Sequence, residues 1–205
     1  MKKKIIILSI IGCFTTWNLH AQRIIWQDDF ETSKGWSEYE DESGNAIIKD
    51  GTLIIKSKEG WTYFSRCKTN LDGNKNFTIS ADVNPKKELI FGHKIGIIFD
   101  YSDGKNYMAF YVERGFVRFI QYKDGQLVRE EKDYLKGHGK KLHIIKTKEE
   151  THLTFEIQKK GQSVIFLVNN EETLEMDGIT VNSNRIGFMV SGKQEVAFDN
   201  VKIYQ

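Results

Sequence analysis

Proline is nearly missing from this sequence: Pro85 is the only one in 205 residues. Cysteine is almost as scarce, with Cys13 and Cys67 alone, so the disulfide framework that staples many small exported domains is excluded. No apolar run approaches the ~20 residues that a bilayer-spanning helix needs. Neither sign of charge dominates, with 30 Lys and Arg against 28 Asp and Glu for a net +2. The excess of cations that nucleic acid attracts is therefore missing. Also absent are a Gly-x-Ser-x-Gly elbow, a His-Glu-x-x-His helix, a phosphate loop and a dinucleotide fingerprint. No long segment keeps a 3.6-residue apolar period, which excludes a helical bundle.

What the chain does contain is 40% hydrophobic and 28% charged residues with 17 glycines. That is enough apolar mass for one good-sized core and too much for disorder. Lys2, Lys3 and Lys4 precede the apolar run Ile5 to Ile11, and a small residue, Ala21, stands before Gln22. A basic start, a short apolar stretch and a small residue at the cut describe a secretory signal peptide over residues 1–21, ahead of a β-sandwich domain over residues 22–205. Ile10-Ile11-Gly12-Cys13 supports a second reading, in which Cys13 is acylated and carries a lipid anchor. Both readings place the protein outside the cytoplasm of a bacterium: periplasmic, outer-membrane-associated or secreted. Cleavage after Ala21 removes three of the 30 basic residues and none of the 28 acidic ones, taking the balance from +2 to −1. It also leaves Cys67 alone, where a lone thiol reads as a small buried side chain.

Short β-branched and aromatic runs, cut by glycine-bearing turns, fill the rest. Asp50-Gly51 separates Ala46-Ile47-Ile48 from Leu53-Ile54-Ile55, and Asp103-Gly104, Arg114-Gly115, Asp124-Gly125 and Lys160-Gly161 divide later runs. Asp-Gly suits a hairpin, because a type I′ turn needs positive φ at both central residues. Phe77 to Val83 alternates apolar and polar as a half-buried strand does. The expectation is an all-β, two-sheet antiparallel β-sandwich.

Treating Asp103-Gly104 and Arg114-Gly115 as two-residue loops aligns three strands. One face then carries Ile95/Val112/Val117, Ile97/Phe110/Phe119 and Phe99/Met108/Gln121, and is the core face. The other carries Gly96/Tyr111/Arg118, Ile98/Ala109/Ile120 and Asp100/Tyr107/Tyr122. A slip of one residue at either turn would exchange the faces. Extending the pattern through Asp124-Gly125 sends Glu130 to the core side, so a bulge or a longer loop is expected there. Tyrosines beside charges suit a glycan, since sugar rings stack on aromatic faces while carboxylates and guanidinium groups take the hydroxyls. The candidate ligand residues are Asp100, Tyr107, Tyr111, Glu113, Arg118 and Tyr122, with Trp61 as an outlying platform. Cross-strand aromatic and charged pairs also stabilise a sheet without any ligand. His93, His138, His143 and His152 lack metal-ligand spacing and read as exposed strand residues, while Trp36 reads as a core anchor.

Asp28-Asp29-Phe30 with Gly35-Trp36, and Asp50-Gly51-Thr52-Leu53, resemble the opening of concanavalin A-like jelly-roll domains of exported bacterial proteins. Gly96-Ile97-Ile98-Phe99 with Asn106-Tyr107-Met108-Ala109-Phe110 resembles their central strands. Phe166 to Asn170, Arg185-Ile186-Gly187-Phe188 and Phe198-Asp199-Asn200-Val201 are similar to their closing strands. The resemblance implies two curved sheets, of which the concave face contacts carbohydrate in many members. The superfamily holds laminin G-like modules, lectins, glucanases and a branch of 3-keto-disaccharide hydrolases. The Glu-x-Asp-x-x-Glu-like strand of its glucanases is missing here, and Glu40-Asp41-Glu42 and Glu171-Glu172 read as solvated acidic turns. No cofactor is expected, apart from a structural calcium that the resemblance would place at Asp29 and Asp199. The functional expectation is a non-catalytic module binding glycan or another cell-surface polymer, with no nucleic-acid partner. Its alternatives are an enzyme of the 3-keto-disaccharide hydrolase kind and a protein-interaction subunit of a cell-envelope assembly.

Overall fold

Phe77, Ile79, Ala81, Val83 and Pro85 are buried, while the residues between them are half-buried. This alternation is what a strand shows when one face meets a core. The period recurs along the chain, and no helix occurs among the described residues. The computed structural model describes residues 23–32, 34–58, 60, 62–86, 92–113, 115–134 and 152–205. In chain order the strands are β1 (Ile24–Asp28), β2 (Tyr39–Asp41), β3 (Gly44–Lys49), β4 (Thr52–Ser57), β5 (Thr62–Lys68), β6 (Phe77–Pro85), β7 (Lys94–Asp103) and β8 (Asn106–Glu113). They continue as β9 (Phe116–Lys123), β10 (Gln126–Tyr134), β11 (Leu153–Lys160), β12 (Ser163–Val168), β13 (Glu171–Met176), β14 (Arg185–Ser191) and β15 (Gln194–Tyr204).

Among the described residues two sheets form, and their pairings are all antiparallel. One has nine strands in the order β13-β12-β11-β6-β15-β4-β3-β2, with β1 also on β15. The other has six, in the order β10-β9-β8-β7-β14-β5. The single proline closes β6, a strand end being where a missing backbone N–H costs least. Asp50-Gly51 (φ 50° and 69°) and Asp124-Gly125 (φ 51° and 78°) turn the β3–β4 and β9–β10 hairpins with both central residues left-handed. That handedness matches the twist of the flanking strands.

Aromatic rings join the sheets. Phe110 of β8 stacks on Phe166 of β12 at 5.2 Å between ring centroids, and meets Phe99 at 5.7 Å and Phe119 at 5.1 Å within its own sheet. Phe188 of β14 stacks on Phe198 of β15 at 4.2 Å and on Trp36 at 5.4 Å. Trp36 is therefore the core anchor expected. Its indole Nε1 donates to Asp28 Oδ2 at 2.9 Å, while Asp28 Oδ1 accepts from the Phe30 backbone N–H at 2.9 Å. The Asp28 carboxylate, 1% exposed, thus satisfies two buried donors and ties the Asp28-to-Trp36 loop down. Cys67 is buried, and burial first, then the nearby Asp28 charge, pushes its thiol up to about 11. An uncharged thiol at neutral pH is a poor nucleophile, so the inert reading of Cys67 holds.

Candidate functional site: the outer face of the six-stranded sheet

The three-strand register is the one the turns predict over most of its length. Ile95 pairs Val112, Ile97 pairs Phe110 and Phe99 pairs Met108 between β7 and β8. Val112 pairs Val117, Tyr111 pairs Arg118 and Tyr107 pairs Tyr122 between β8 and β9. Phe110 and Phe119 are wholly buried between the sheets, so the tyrosines of the other parity stand on the opposite, outer face. The β9–β10 ladder slips between Leu127 and Arg129. This bulge returns Glu130 to the outer face opposite Ile120, as its charge demands.

Asp100 departs from the expected row. The β7–β8 register shifts between Phe99/Met108 and Asp103/Asn106, so three residues of β7 face Tyr107 alone. The turn itself is Gly104-Lys105, one residue later than expected, and the bulge absorbs the difference. Asp100 adopts a left-handed φ of 50°, and its Oδ1 accepts from the backbone N–H groups of Asn182 and Ser183, each at 2.6 Å. Burial raises its pKa, with those two hydrogen bonds opposing the rise. Asp100 therefore braces the loop before β14 and is not a rung of the tyrosine row. Tyr101, which sequence reasoning missed, takes that place, with its ring 6.4 Å from Tyr107. Only the bulge brings Tyr101 to this face, and no local sequence signal distinguishes it from its neighbours.

The face has a floor of small and aliphatic residues: Gly96, Ile98, Ala109, Gly187 and Met189. A Cβ on Gly96 would fall 2.3 Å from the Phe110 carbonyl oxygen, and one on Gly187 would fall 2.4 Å from that of Ser65. Neither position admits a side chain without a backbone shift. Over this floor the rings converge. Tyr107 and Tyr122 stack at 5.1 Å and 18°. Phe64 of β5 reaches within 5.7 Å of Tyr107, although β14 and β7 lie between their strands, a separation of about 14 Å at ordinary strand spacing. Arg66 donates from Nη1 to the Tyr101 hydroxyl at 2.5 Å, with its guanidinium carbon 5.0 Å from that ring. Tyr107 is thus enclosed by Phe64, Tyr101 and Tyr122, and burial pushes its phenol up to about 12.

A charged group continues the face toward β10. Arg118 Nη1 donates to Glu130 Oε1 at 2.7 Å. Its Nε lies 3.2 Å from Glu113 Oε2, an ion-pair distance without hydrogen-bond alignment. Glu113 is buried at 8% exposure, so it acts as the counter-charge beneath Arg118 and not as an open hydrogen-bonding group. Tyr111, expected as a platform, is 4% exposed with Lys94 Nζ 5.3 Å from its ring centroid. Burial pushes its phenol up to about 12, with Arg118 opposing and Glu113 adding to the rise. Of the expected tyrosines, Tyr111 is closed off, while Tyr107 and Tyr122 are half-buried.

Trp61, Cys13, His138 and His143 lie outside the described residues. His93 is buried rather than exposed, whereas His152 is exposed, with Nδ1 3.0 Å from Asn84 Oδ1. Asp29 and Asp199 each accept from a backbone N–H near them in the chain, from Glu31 at 3.3 Å and Asn200 at 2.6 Å respectively. Burial first, then the charges of Asp82, Asp29 and Glu31, raises the Asp199 pKa. Among the described residues no group of three His, Cys, Asp or Glu side chains is arranged to hold a metal ion.

No family model matches the chain, and no curated protein matches it by sequence. Solved structures do match. The carbohydrate binding module CBM66 from Bacillus subtilis superposes with a TM-score of 0.56 at 16% identity, covering 84% of this chain and 96% of that one. The fold is a concanavalin A-like jelly roll. A Bacillus subtilis protein of unknown function with a galectin-like fold gives 0.61 at 10% identity, covering 90% of this chain and 98% of its own. The catalytic domain of an endo-1,3-beta-glucanase (laminarinase) from Thermotoga petrophila gives 0.55 at 10% identity, covering 90% and 98%. At these identities the jelly-roll likeness concerns backbone architecture alone. No helix among the described residues is long and apolar enough to cross a membrane.

Proposed function

We propose that this is an exported, non-catalytic module that binds a glycan along the outer face of its six-stranded sheet. The observation that carries the reading is the stacked Tyr107–Tyr122 pair at 5.1 Å, set over a small-residue floor. The outer ring of Tyr122 offers an apolar plane for a sugar face, and Tyr107 and Tyr101 hold it rigidly from behind. Glu130, one rung from Tyr122 opposite Ile120, and Arg118, two rungs away opposite Tyr111, supply an acceptor and a donor for ring hydroxyls. A rigid aromatic plane flanked by polar groups loses little conformational freedom on binding. The likeness to a carbohydrate binding module and a glucanase supports the same reading at the level of fold.

Catalysis is the weaker reading. A glycosidase needs an acid and a base or nucleophile on opposite sides of the scissile bond. Glu113 and Glu130 both contact the same guanidinium, which makes them orienters of Arg118. The test is retention in affinity gels containing a panel of soluble polysaccharides. Tyr122→Ala is expected to weaken retention with a melting temperature lowered by less than about 6 °C, and Tyr107→Ala with Tyr122→Ala to abolish retention while the variant remains folded. Unchanged migration of both variants in every gel that retards the parent protein would refute the site.

A further inference from the structure

The tyrosine row runs on into a cleft. Tyr101, the third ring after Tyr122 and Tyr107, also lines a cavity of about 670 Å³ with Lys68, Asp72, Asn74, Ser102, Asn182, Asn184 and Arg185. That volume lies within the range of small-ligand sites, about 300–1,000 Å³. Its walls are polar, unlike the ring-lined face beside it.

Two cations meet in this cleft. Lys68 of β5 and Arg185 of β14 are direct cross-strand partners, and both are exposed. Like charges placed directly opposite one another oppose sheet pairing, so an anion bound between them would relieve that repulsion. Among the described residues, no carboxylate forms an ion pair with either one. Arg185 Nη1 donates to the Ser102 carbonyl at 3.2 Å, which orients the guanidinium without neutralising it. Asp100 is the acid that the β7–β14 ladder would bring toward Arg185, two residues past the Gly187/Ile98 pair. Its Oδ1 is instead turned to the Asn182 and Ser183 N–H groups. Asp72, in the cleft wall, accepts from Asn74 at 3.0 and 3.2 Å and pairs with Lys75 at 3.7 Å. Neither acid forms an ion pair with Lys68 or Arg185, and among the described residues the two cations have no direct carboxylate partner.

We propose that this cleft seats the carboxylate of a hexuronic acid unit between Lys68 and Arg185 while the rest of the polysaccharide lies along the tyrosine row. This inference rests on the glycan reading above and adds the class of glycan: acidic and uronate-bearing. A guanidinium fork beside an ammonium matches a planar carboxylate, and the asparagine and serine groups around it suit the hydroxyls of the same sugar. Because both cations are exposed, the attraction is screened by salt.

The test uses affinity gels and titration calorimetry with polygalacturonate, with alginate and with the carboxyl-reduced, neutral forms of the same polymers. At least one uronate polymer is expected to bind about tenfold or more tightly than its reduced form, as charge-assisted hydrogen bonds would give. That preference should shrink as NaCl is raised. Lys68→Gln with Arg185→Gln should erase the preference, leave binding of the neutral form unchanged and leave the melting temperature near that of the parent. Lys68→Gln alone, which removes no hydrogen bond of the fold, should weaken the preference in part. Equal binding of the acidic and reduced forms, or a preference that survives the double variant, overturns the inference and leaves the glycan reading standing. Binding of neither form overturns this inference, and retention in none of the gels of the wider polysaccharide panel overturns the glycan reading as well. Dextran sulfate separates geometry from charge: weaker binding than the uronate supports a carboxylate seat, and equal binding overturns it.

Discussion

Phe110→Ala and Tyr122→Ala, introduced separately, test the division of labour between the two faces of the six-stranded sheet. Phe110 is wholly buried and touches Phe99, Phe119 and, across the sandwich, Phe166. Removing such a ring loses its transfer free energy and opens a cavity lined by three other rings, at a cost of about 3–5 kcal/mol. In a domain of this size about 1 kcal/mol moves the melting temperature by roughly 2–4 °C, so a drop of about 6–20 °C is expected. Tyr122 is half-buried on the outer face, and its principal ring contact is Tyr107. Losing that pair should cost on the order of 0.5–1.5 kcal/mol, or a drop below about 6 °C. Urea denaturation followed by tryptophan fluorescence and circular dichroism gives both numbers, with the slope expected to stay unchanged. A larger loss for Tyr122→Ala than for Phe110→Ala would mean that the faces are exchanged, and the binding face would fall with the register.

Other consequences can be checked together. Asp28→Ala strands the buried Trp36 indole N–H and the Phe30 N–H; unsatisfied buried donors cost about 1–3 kcal/mol each, and the loss should appear in the same denaturation series. The raised pKa of Asp100 means that the folded state holds the proton more tightly than the unfolded chain. Its contribution is most favourable below the unfolded value near 3.8 and falls as pH rises through the higher folded value. Asp100→Asn keeps an acceptor for Asn182 and Ser183, and should remove that fall from the pH–stability profile; an unaltered profile would refute the burial argument. Tyr107 and Tyr111, each pushed up to about 12, should withhold two phenolates from the ultraviolet titration until well above pH 10. Since the unfolded chain ionises near 10, stability should decline between about pH 10 and 12.

Much of this architecture is written locally in the chain. Asp50-Gly51 and Asp124-Gly125 specify left-handed turns through short-range sterics, and alternation along residues 77–83 assigns a core face through the two-residue period of a strand. Those signals suffice to put Phe110 and Phe119 inside and Tyr107 and Tyr122 outside, because any slip in register would bury charge. Even the bulge after Asp124-Gly125 is legible, since Glu130 must reach solvent. What tertiary structure alone decided is how far each tyrosine stays open. Tyr111 closes beneath Lys94 and beside Arg118, and Phe64 arrives from a strand two places beyond β7. Asp100 is drawn off to the Asn182–Ser183 backbone, which sends Tyr101 into the vacated rung. The Lys68–Arg185 cleft likewise joins positions 117 residues apart. Turn chemistry and alternation act over a few bonds and can be read from neighbours in the chain. Exposure and charge compensation depend on which distant strands become neighbours in space, and only the completed sandwich brings those together.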